Sequence, residues 1–328
     1  MNSELTLAAI TATRERLGDR IVTTPSVKWQ GPELTAVIGA TTEVFVKLEL
    51  FQRTGTFKAR RAMNVMMHLS AEQLARGITA VSAGNHAIAA AYCAHQVGTS
   101  AKIFMPKTAK PLRVARAQAY GPEIVFCDTQ TEMFERAEQA QREEGRTFVH
   151  PFEGPLTVQG TATAGLEFSQ QVPPLDAMIL PIGGGGLCAG FASALKQVWP
   201  GIAVYGVEPE GANTMALSFA AGHTVAKESV KTIADSLAPP RTEPYTYSVC
   251  REVVDEIVLV SDQQLQAAMR TIFHDLKLAV EPAAAATTAA LCGPLRDRLT
   301  GLRVGVIACG TNIDTADFCQ LVGCAQFE

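Results

Sequence analysis

A lysine at the start of a helix, flanked by apolar residues, can be a nucleophile rather than a solvated cation. Lys58 stands this way in TGTFKARRAMN (54–64), between Phe57 and Ala59. Apolar neighbours depress an amine's pKa and leave more of it unprotonated. A second stretch, LPIGGGGLCAG (180–190), follows an apolar run. Without Cβ atoms at Gly183, Gly184, Gly185 and Gly186, several backbone N–H groups can converge on one anion where a helix begins, as a phosphate requires. The common phosphate motifs do not fit, since neither GxGxxG nor GK[ST] can be laid over this turn. Glu208 ends the next strand where a ribose-binding acid would sit, so a nicotinamide reading stays open at this point.

Three further turns add polar groups. In VSAGNHA (81–87) the amides and the Ser82 hydroxyl could grip a carboxylate, and Asn85 offers a neutral donor. Taken alone, that turn is better explained as an ordinary helix cap. IACGTNID (307–314) ends an apolar run at Cys309, which alone reads as an inert buried thiol. AVEPAAAA (279–286) places Glu281 before a helix, where an acid offsets the helix dipole. Taken together, an amine at 58, a phosphate cradle at 183–186 and a neutral donor at 85 describe one ligand. It is pyridoxal phosphate, joined to the lysine through its aldehyde.

The elements that must position these groups alternate along the chain. Strands are expected at 42–50, 77–82, 101–106, 122–127, 176–182, 203–209 and 303–310. Helical patterns run from Lys58 to Leu69, from Ala87 to Val97 and over 187–198. Continuous Val/Ile runs separated by helices predict an α/β fold with parallel sheets covered on both faces. No period of 20–50 residues recurs. Residues 234–247, rich in proline and polar residues, are expected to form a long functional loop.

Composition narrows the function classes. The 328 residues suggest two lobes sharing a cleft, and 47% hydrophobic content is ample for a core. A net charge of -4 with dispersed basic residues excludes an electrostatic footprint for nucleic acid. Eight cysteines without a CxxC pair argue against a zinc site or a disulfide framework. The N-terminus lacks a secretory apolar segment and no run is long enough to span a bilayer, so a cytoplasmic protein is expected.

The motifs, in this order, resemble the fold type II pyridoxal-phosphate enzymes, specifically the serine/threonine dehydratase and serine racemase group. The resemblance runs across most of the chain: FQRTGTFKAR (51–60), SAGNHA (82–87), AYGPEIVF (119–126), HPFEGP (150–155), QGT (159–161), GGGGL (183–187), VEP (207–209), TIAD (232–235), VEP (280–282) and CGTNID (309–314). It implies two open, mostly parallel twisted sheets covered by helices, with the cofactor in a cleft between lobes. A large domain would comprise 1–52 and 151–328, and a small inserted one 53–150. Lys58 would carry the cofactor as a Schiff base, with Phe57 against the ring and Asn85 on the ring hydroxyl oxygen. Gly183 to Leu187 would hold the phosphate, and Glu281 would also face the cofactor. Ser82, Ala83, Gly84, Asn85 and His86 look like the family's substrate-carboxylate loop. Cys309 replaces the serine usually found beside the pyridine nitrogen, and either residue is neutral.

The implied activity is that of an ammonia-lyase. It converts a β-hydroxy-α-amino acid to a 2-oxo acid and ammonia, with the freed Lys58 amine taking the Cα proton. Threonine or serine is the default substrate, and 3-hydroxyaspartate would suit if Arg61 or Arg241 faced the site. Arg61 stands where the family commonly has glycine, and reads equally as a solvated helix arginine. Ala83 replaces the second acid/base serine of the racemases, which disfavours racemisation. Thr214 replaces a carboxylate of the racemase-type metal site, so a divalent or monovalent cation is left with Glu208 and the Ala212 carbonyl. The failed glycine spacing disfavours a nicotinamide dehydrogenase, and the intact lysine disfavours a non-catalytic cofactor-binding protein. A homodimer of catabolic type, without the regulatory domain of biosynthetic relatives, is expected.

Overall fold

Ten short strands carry most of the Val/Ile runs and assemble into two sheets. In this computed structural model residues 3–323 are described; residues 1–2 and 324–328, Cys324 among them, lie outside that range. The strands are β1 (Ser26–Trp29), β2 (Glu43–Lys47), β3 (Ile78–Val81), β4 (Ala101–Pro106) and β5 (Glu123–Cys127), then β6 (Thr147–Phe148), β7 (Ala177–Pro181), β8 (Ala203–Pro209), β9 (Glu256–Val260) and β10 (Arg303–Ile307). One sheet has the order β1-β2-β10-β7-β8-β9 and the other β5-β4-β3-β6. Every pairing is parallel except that of β1 with β2, where β1 forms an antiparallel edge.

The helices are α1 (Leu7–Leu17), α2 (Pro32–Ile38), α3 (Lys58–Met66), α4 (Ala71–Arg76), α5 (Asn85–Val97), α6 (Pro111–Gln118) and α7 (Gln130–Glu144). They continue with α8 (Pro155–Gln171), α9 (Gly186–Val198), α10 (Thr214–Ala221), α11 (Pro244–Val253), α12 (Asp262–Leu276), α13 (Pro282–Cys292) and α14 (Thr315–Gly323). Strand β7 is buried along its whole length, as a strand flanked by others and covered by helices must be.

Several boundaries differ from the sequence expectation. The strand expected over 42–50 stops at Lys47 and turns into a 3-10 segment, Glu49–Phe51. The expected loop 234–247 already turns helical at Pro244, because proline at a first helical position sacrifices no hydrogen bond. Helix α8 was not expected, for its sequence PLTVQGTATAGLEFSQQ carries no clear apolar stripe. It forms because its glycines let other main chains lie against it. A Cβ at Gly160 would sit 2.7 Å from Arg61 Cα, and one at Gly165 2.5 Å from the Phe191 carbonyl oxygen.

A buried ionic cluster joins α3, α8 and the segment after β2. Arg60 is fully buried and binds both carboxylates beside it in a two-pronged manner. Its Nε and Nη2 donate to Glu49 at 2.8 Å each, and Nη1 and Nη2 donate to Glu167 at 2.8 and 2.7 Å. Lys47 Nζ joins at 3.2 Å from Glu167 Oε2 and donates to the Thr24 carbonyl at 2.7 Å. Arg14 reaches Glu167 from the outer side, its Nε donating at 2.8 Å, so three cations surround two carboxylates. Removing one partner strands the rest, so Arg60→Ala should lower unfolding stability by roughly 3–5 kcal/mol, as urea titration would measure. An undiminished midpoint would show that the cluster does not hold the fold.

Candidate active site

The first turn of α3 is stitched to the turn that follows β10. Thr56 bridges Gly310, the Phe57 amide donates to the Cys309 carbonyl at 3.3 Å, and the Thr311 amide donates to Gly55 at 3.0 Å. Thr54 adopts φ +68°, a left-handed conformation that costs a β-branched residue energy and sharpens the turn before the lysine. Lys58 therefore enters the cleft from a fixed base. Its amine lies 4.6 Å from the Phe57 ring centroid, and no hydrogen bond or ion pair engages it among the described residues. Burial, then the nearby Arg61 charge, lower its pKa to about 8.

The cleft is a cavity of about 480 Å³, within the usual range for small-molecule sites. It brings together the candidates from distant stretches of sequence: Phe57, Lys58, residues 82–86, Gly183 to Leu187, Glu281 and Cys309 all line it. Gly183, Gly184 and Gly185 lead into α9, whose first residue is Gly186. Gly185 has φ +88°, a Cβ at Gly184 would overlap the Phe152 ring, and one at Gly186 would sit 2.5 Å from the Phe152 carbonyl oxygen. The turn is thus restricted to glycine by its own packing, and a thirteen-residue helix aims its N-terminal dipole at the cavity. Burial pushes the Cys309 thiol up to about 12, so it stays neutral at physiological pH.

On the opposite side, the Gly84 amide donates to the Ser82 hydroxyl at 3.0 Å, shaping the loop before α5. A side chain at Gly84 would meet Arg113 Nη1 at 2.8 Å. Asn85 donates to both oxygens of Glu281 at 2.7 and 2.8 Å and accepts from Asn312 at 2.8 Å. His86 Nε2 must carry its proton, because it donates to the Val149 carbonyl at 2.8 Å; its Nδ1 is buried without a partner. Burial holds the ring neutral, well below the usual histidine range.

Other candidates lie elsewhere. Arg241 is exposed, paired with Glu243 at 2.7 Å, stacked over Phe134 at 5.3 Å, and not part of the cavity wall. Arg61 is not solvated: it is buried and lines the cavity. Glu208 sits away from the cavity, accepting from the Met215 and Ala216 amides at 2.9 and 2.7 Å, where it caps α10. The acid that a nicotinamide reading would have placed on the ribose, Glu208, is therefore outside the site. Burial raises the Glu208 carboxyl to about 8. Ala212 is buried next to that cap, and no group of three or more His, Cys, Asp or Glu able to hold a metal is found among the described residues.

Two features escaped the sequence reading. Arg113, from α6, crosses the cleft to Asp235 at 2.6 and 3.1 Å, latching one sheet's helices to the other's loops. An aromatic file also runs behind one wall and lines the cavity with its two ends, Phe134 and Phe152, with edge-on contacts Phe134–Phe148 at 6.3 Å, Phe148–His150 at 5.6 Å and His150–Phe152 at 4.8 Å. TIAD and HPFEGP hold Asp235 and Phe152, but neither motif says what these residues touch.

The Lys58 amine without an ion pair, the buried Arg61 Nε without a partner and a glycine-only helix N-terminus in one cavity fit a group bearing an aldehyde and a phosphate. Residues 19–310 match the family described as pyridoxal-phosphate dependent enzyme. The chain belongs to that family. A phenylserine dehydratase of Ralstonia pickettii is 50% identical over 317 residues, 97% of this chain and 96% of that protein. An L-threo-3-hydroxyaspartate ammonia-lyase of Saccharomyces cerevisiae is 38% identical, covering 85% of this chain and 86% of the relative. Among solved structures, maize serine racemase superposes with a TM-score of 0.89 at 34% identity, over 96% of this chain and 95% of that one. The chain is thus a fold type II pyridoxal-phosphate-dependent lyase.

Lys58 and Lys47 are both deeply placed, but only Lys47 is ion-paired. Borohydride-trapped labelling of cofactor-free protein by pyridoxal phosphate should map to residue 58. Because the unprotonated amine reacts, labelling should climb as pH rises through about 8 and level off above it. A profile still rising near 10.5, the unshifted lysine value, or a label on Lys47 would refute the assignment.

Proposed function

We propose that the protein is an ammonia-lyase whose β-hydroxy-α-amino-acid substrate carries an aryl group on Cβ. The observation that carries this reading is the aromatic wall. Met133, Phe134 and Phe152 line the cavity, and Phe134 and Phe152 terminate the aromatic file. Aromatic rings meeting edge to face add to simple area burial, so the wall favours a ring over a hydroxymethyl or a carboxylate. The name of the Ralstonia pickettii relative supports the same substrate class. Arg241, the cation that would have favoured 3-hydroxyaspartate from the rim, is already paired with Glu243.

Bound pyridoxal phosphate supplies an aldehyde for the substrate amine and a conjugated ring that takes up the electrons left on Cα. The chain supplies the rest. The loop 82–86, at the N-terminus of α5, offers amides to the substrate carboxylate. Lys58, with its pKa near 8, is matched to accept the Cα proton at physiological pH. Cys309, a neutral thiol in the cavity wall, would supply no charge to a pyridine nitrogen held beside it, which would suit prompt loss of the β-hydroxyl. Loss of water and then hydrolysis yield the 2-oxo acid and ammonia. Arg113, buried across the cleft, keeps bulk water from the reacting atoms.

Assayed for 2-oxo acid release, phenylserine should exceed threonine, serine and 3-hydroxyaspartate in kcat/KM. Phe134→Ala should lower kcat/KM for phenylserine roughly 2- to 10-fold with little effect on threonine. Equal losses for both substrates would place the ring outside the substrate pocket. Ala83 brings no proton donor to the face of Cα opposite Lys58. Ala83→Ser should therefore raise the ratio of racemisation to elimination, read by chiral chromatography of residual substrate. Rapid inversion by the wild type would refute that account.

A further inference from the structure

The protein buries three arginines and pairs only two of them internally. Arg60 has Glu49 and Glu167, and Arg113 has Asp235. Arg61 is 3% exposed, its Nε is buried with no hydrogen-bond partner, and its wall position gives it access to the cavity. Desolvation is the one cause of its lowered pKa, about 9, so no carboxylate offsets the charge. The titratable groups that feel it are Lys58, His86 and His150, and none of them is an anion. A buried guanidinium with no counter-charge is expensive unless a ligand supplies one.

The location points to which ligand. Lys58 and Arg61 lie one turn apart on the same face of α3, and both charged groups sit over the Phe57 ring, at 4.6 and 5.2 Å. Arg61 Cα rests on Gly160, and the next residue of α8, Thr161, donates its hydroxyl to the Gly186 carbonyl at 2.7 Å. From the other side, His150 contacts Phe152, whose ring covers Gly184. Arg61 is therefore tied by two short paths to the glycine turn at α9. The substrate-carboxylate loop has a different arginine against it, Arg113 at Gly84. We propose that Arg61 is a ligand of the cofactor phosphate, donating to it alongside the amides of Gly183 to Gly186. This assignment rests on the cofactor reading above. It adds a charged side chain to a cradle otherwise built from main-chain donors.

Apoproteins of wild type, Arg61→Met and Arg61→Lys, titrated with pyridoxal 5'-phosphate and with pyridoxal, test it. Pyridoxal has the same ring and aldehyde but no phosphate. Arg61→Met should raise the Kd for pyridoxal phosphate roughly 10- to 100-fold, the worth of a charged hydrogen bond. It should leave pyridoxal binding unchanged, and Arg61→Lys should recover part of the loss. Freed of an unpaired charge, the Arg61→Met apoprotein should melt at a higher temperature, while its gain in Tm on adding pyridoxal phosphate shrinks. An equal loss for both aldehydes would overturn the proposal in favour of a role in packing or in tuning Lys58. Unchanged cofactor affinity with a raised KM for the amino acid would overturn it in favour of substrate binding. A wild type that captures neither aldehyde at Lys58 would overturn the cofactor reading, and this assignment with it.

Discussion

Two carboxylates and a fully buried guanidinium fix where the reactive amine can be. Arg60 sits two residues after Lys58, so the Glu49–Arg60–Glu167 cluster sets the rotation and height of the first turn of α3. Buried ion pairs seldom add net stability over apolar packing, but they are demanding about geometry because any misalignment strands a charge. Here that demand is placed next to the nucleophile. The neighbouring residue reverses the arrangement: Arg61 lines the cavity over the Phe57 ring, its Nε has no hydrogen-bond partner, and no carboxylate among the described residues pairs with it.

The chemistry of the cleft follows from removing charge as much as from placing it. Cys309 is held as a thiol, His86 as a neutral ring, and burial raises the Glu281 carboxyl pKa despite Arg113 and Lys58 nearby. Lys58 is thereby surrounded by groups that do not stabilise its ammonium strongly, and its base form is accessible near neutrality. Asn85 connects this quiet interior to the rest of the protein through Glu281 and Asn312.

What could be read from sequence was chemistry with a local signature. Four consecutive glycines, a lysine beside a phenylalanine and a Gly-Asn turn could be singled out by residue type and spacing, and the structure brings all three to one cavity. Strand runs such as 176–182 were legible for the same reason: a fully buried parallel strand is apolar throughout. Helix α8 was not, since Gly160 and Gly165 matter only once α3 and α9 lie against them. Arg61 stayed open between a cation reaching the site and a solvated helix arginine for the same kind of reason, because its burial depends on residues a hundred positions away. Arg241 showed the converse: a cation beside a candidate loop, neutralised by Glu243 two residues on.

Helix α8 touches two walls of the cavity. Glu167 holds Arg60 behind Lys58, and Thr161 holds Gly186 at the glycine turn, so one helix spans from the base of α3 to the start of α9. The four-stranded sheet reaches the cavity from the other side, through residues 82–86 and the Arg113–Asp235 pair. Helix α3 also shares a core with that sheet, through Ala59, Ala62, Met63 and Met66 against α5, so the helix that carries Lys58 is a party wall, built into α8 and into the four-stranded sheet at once.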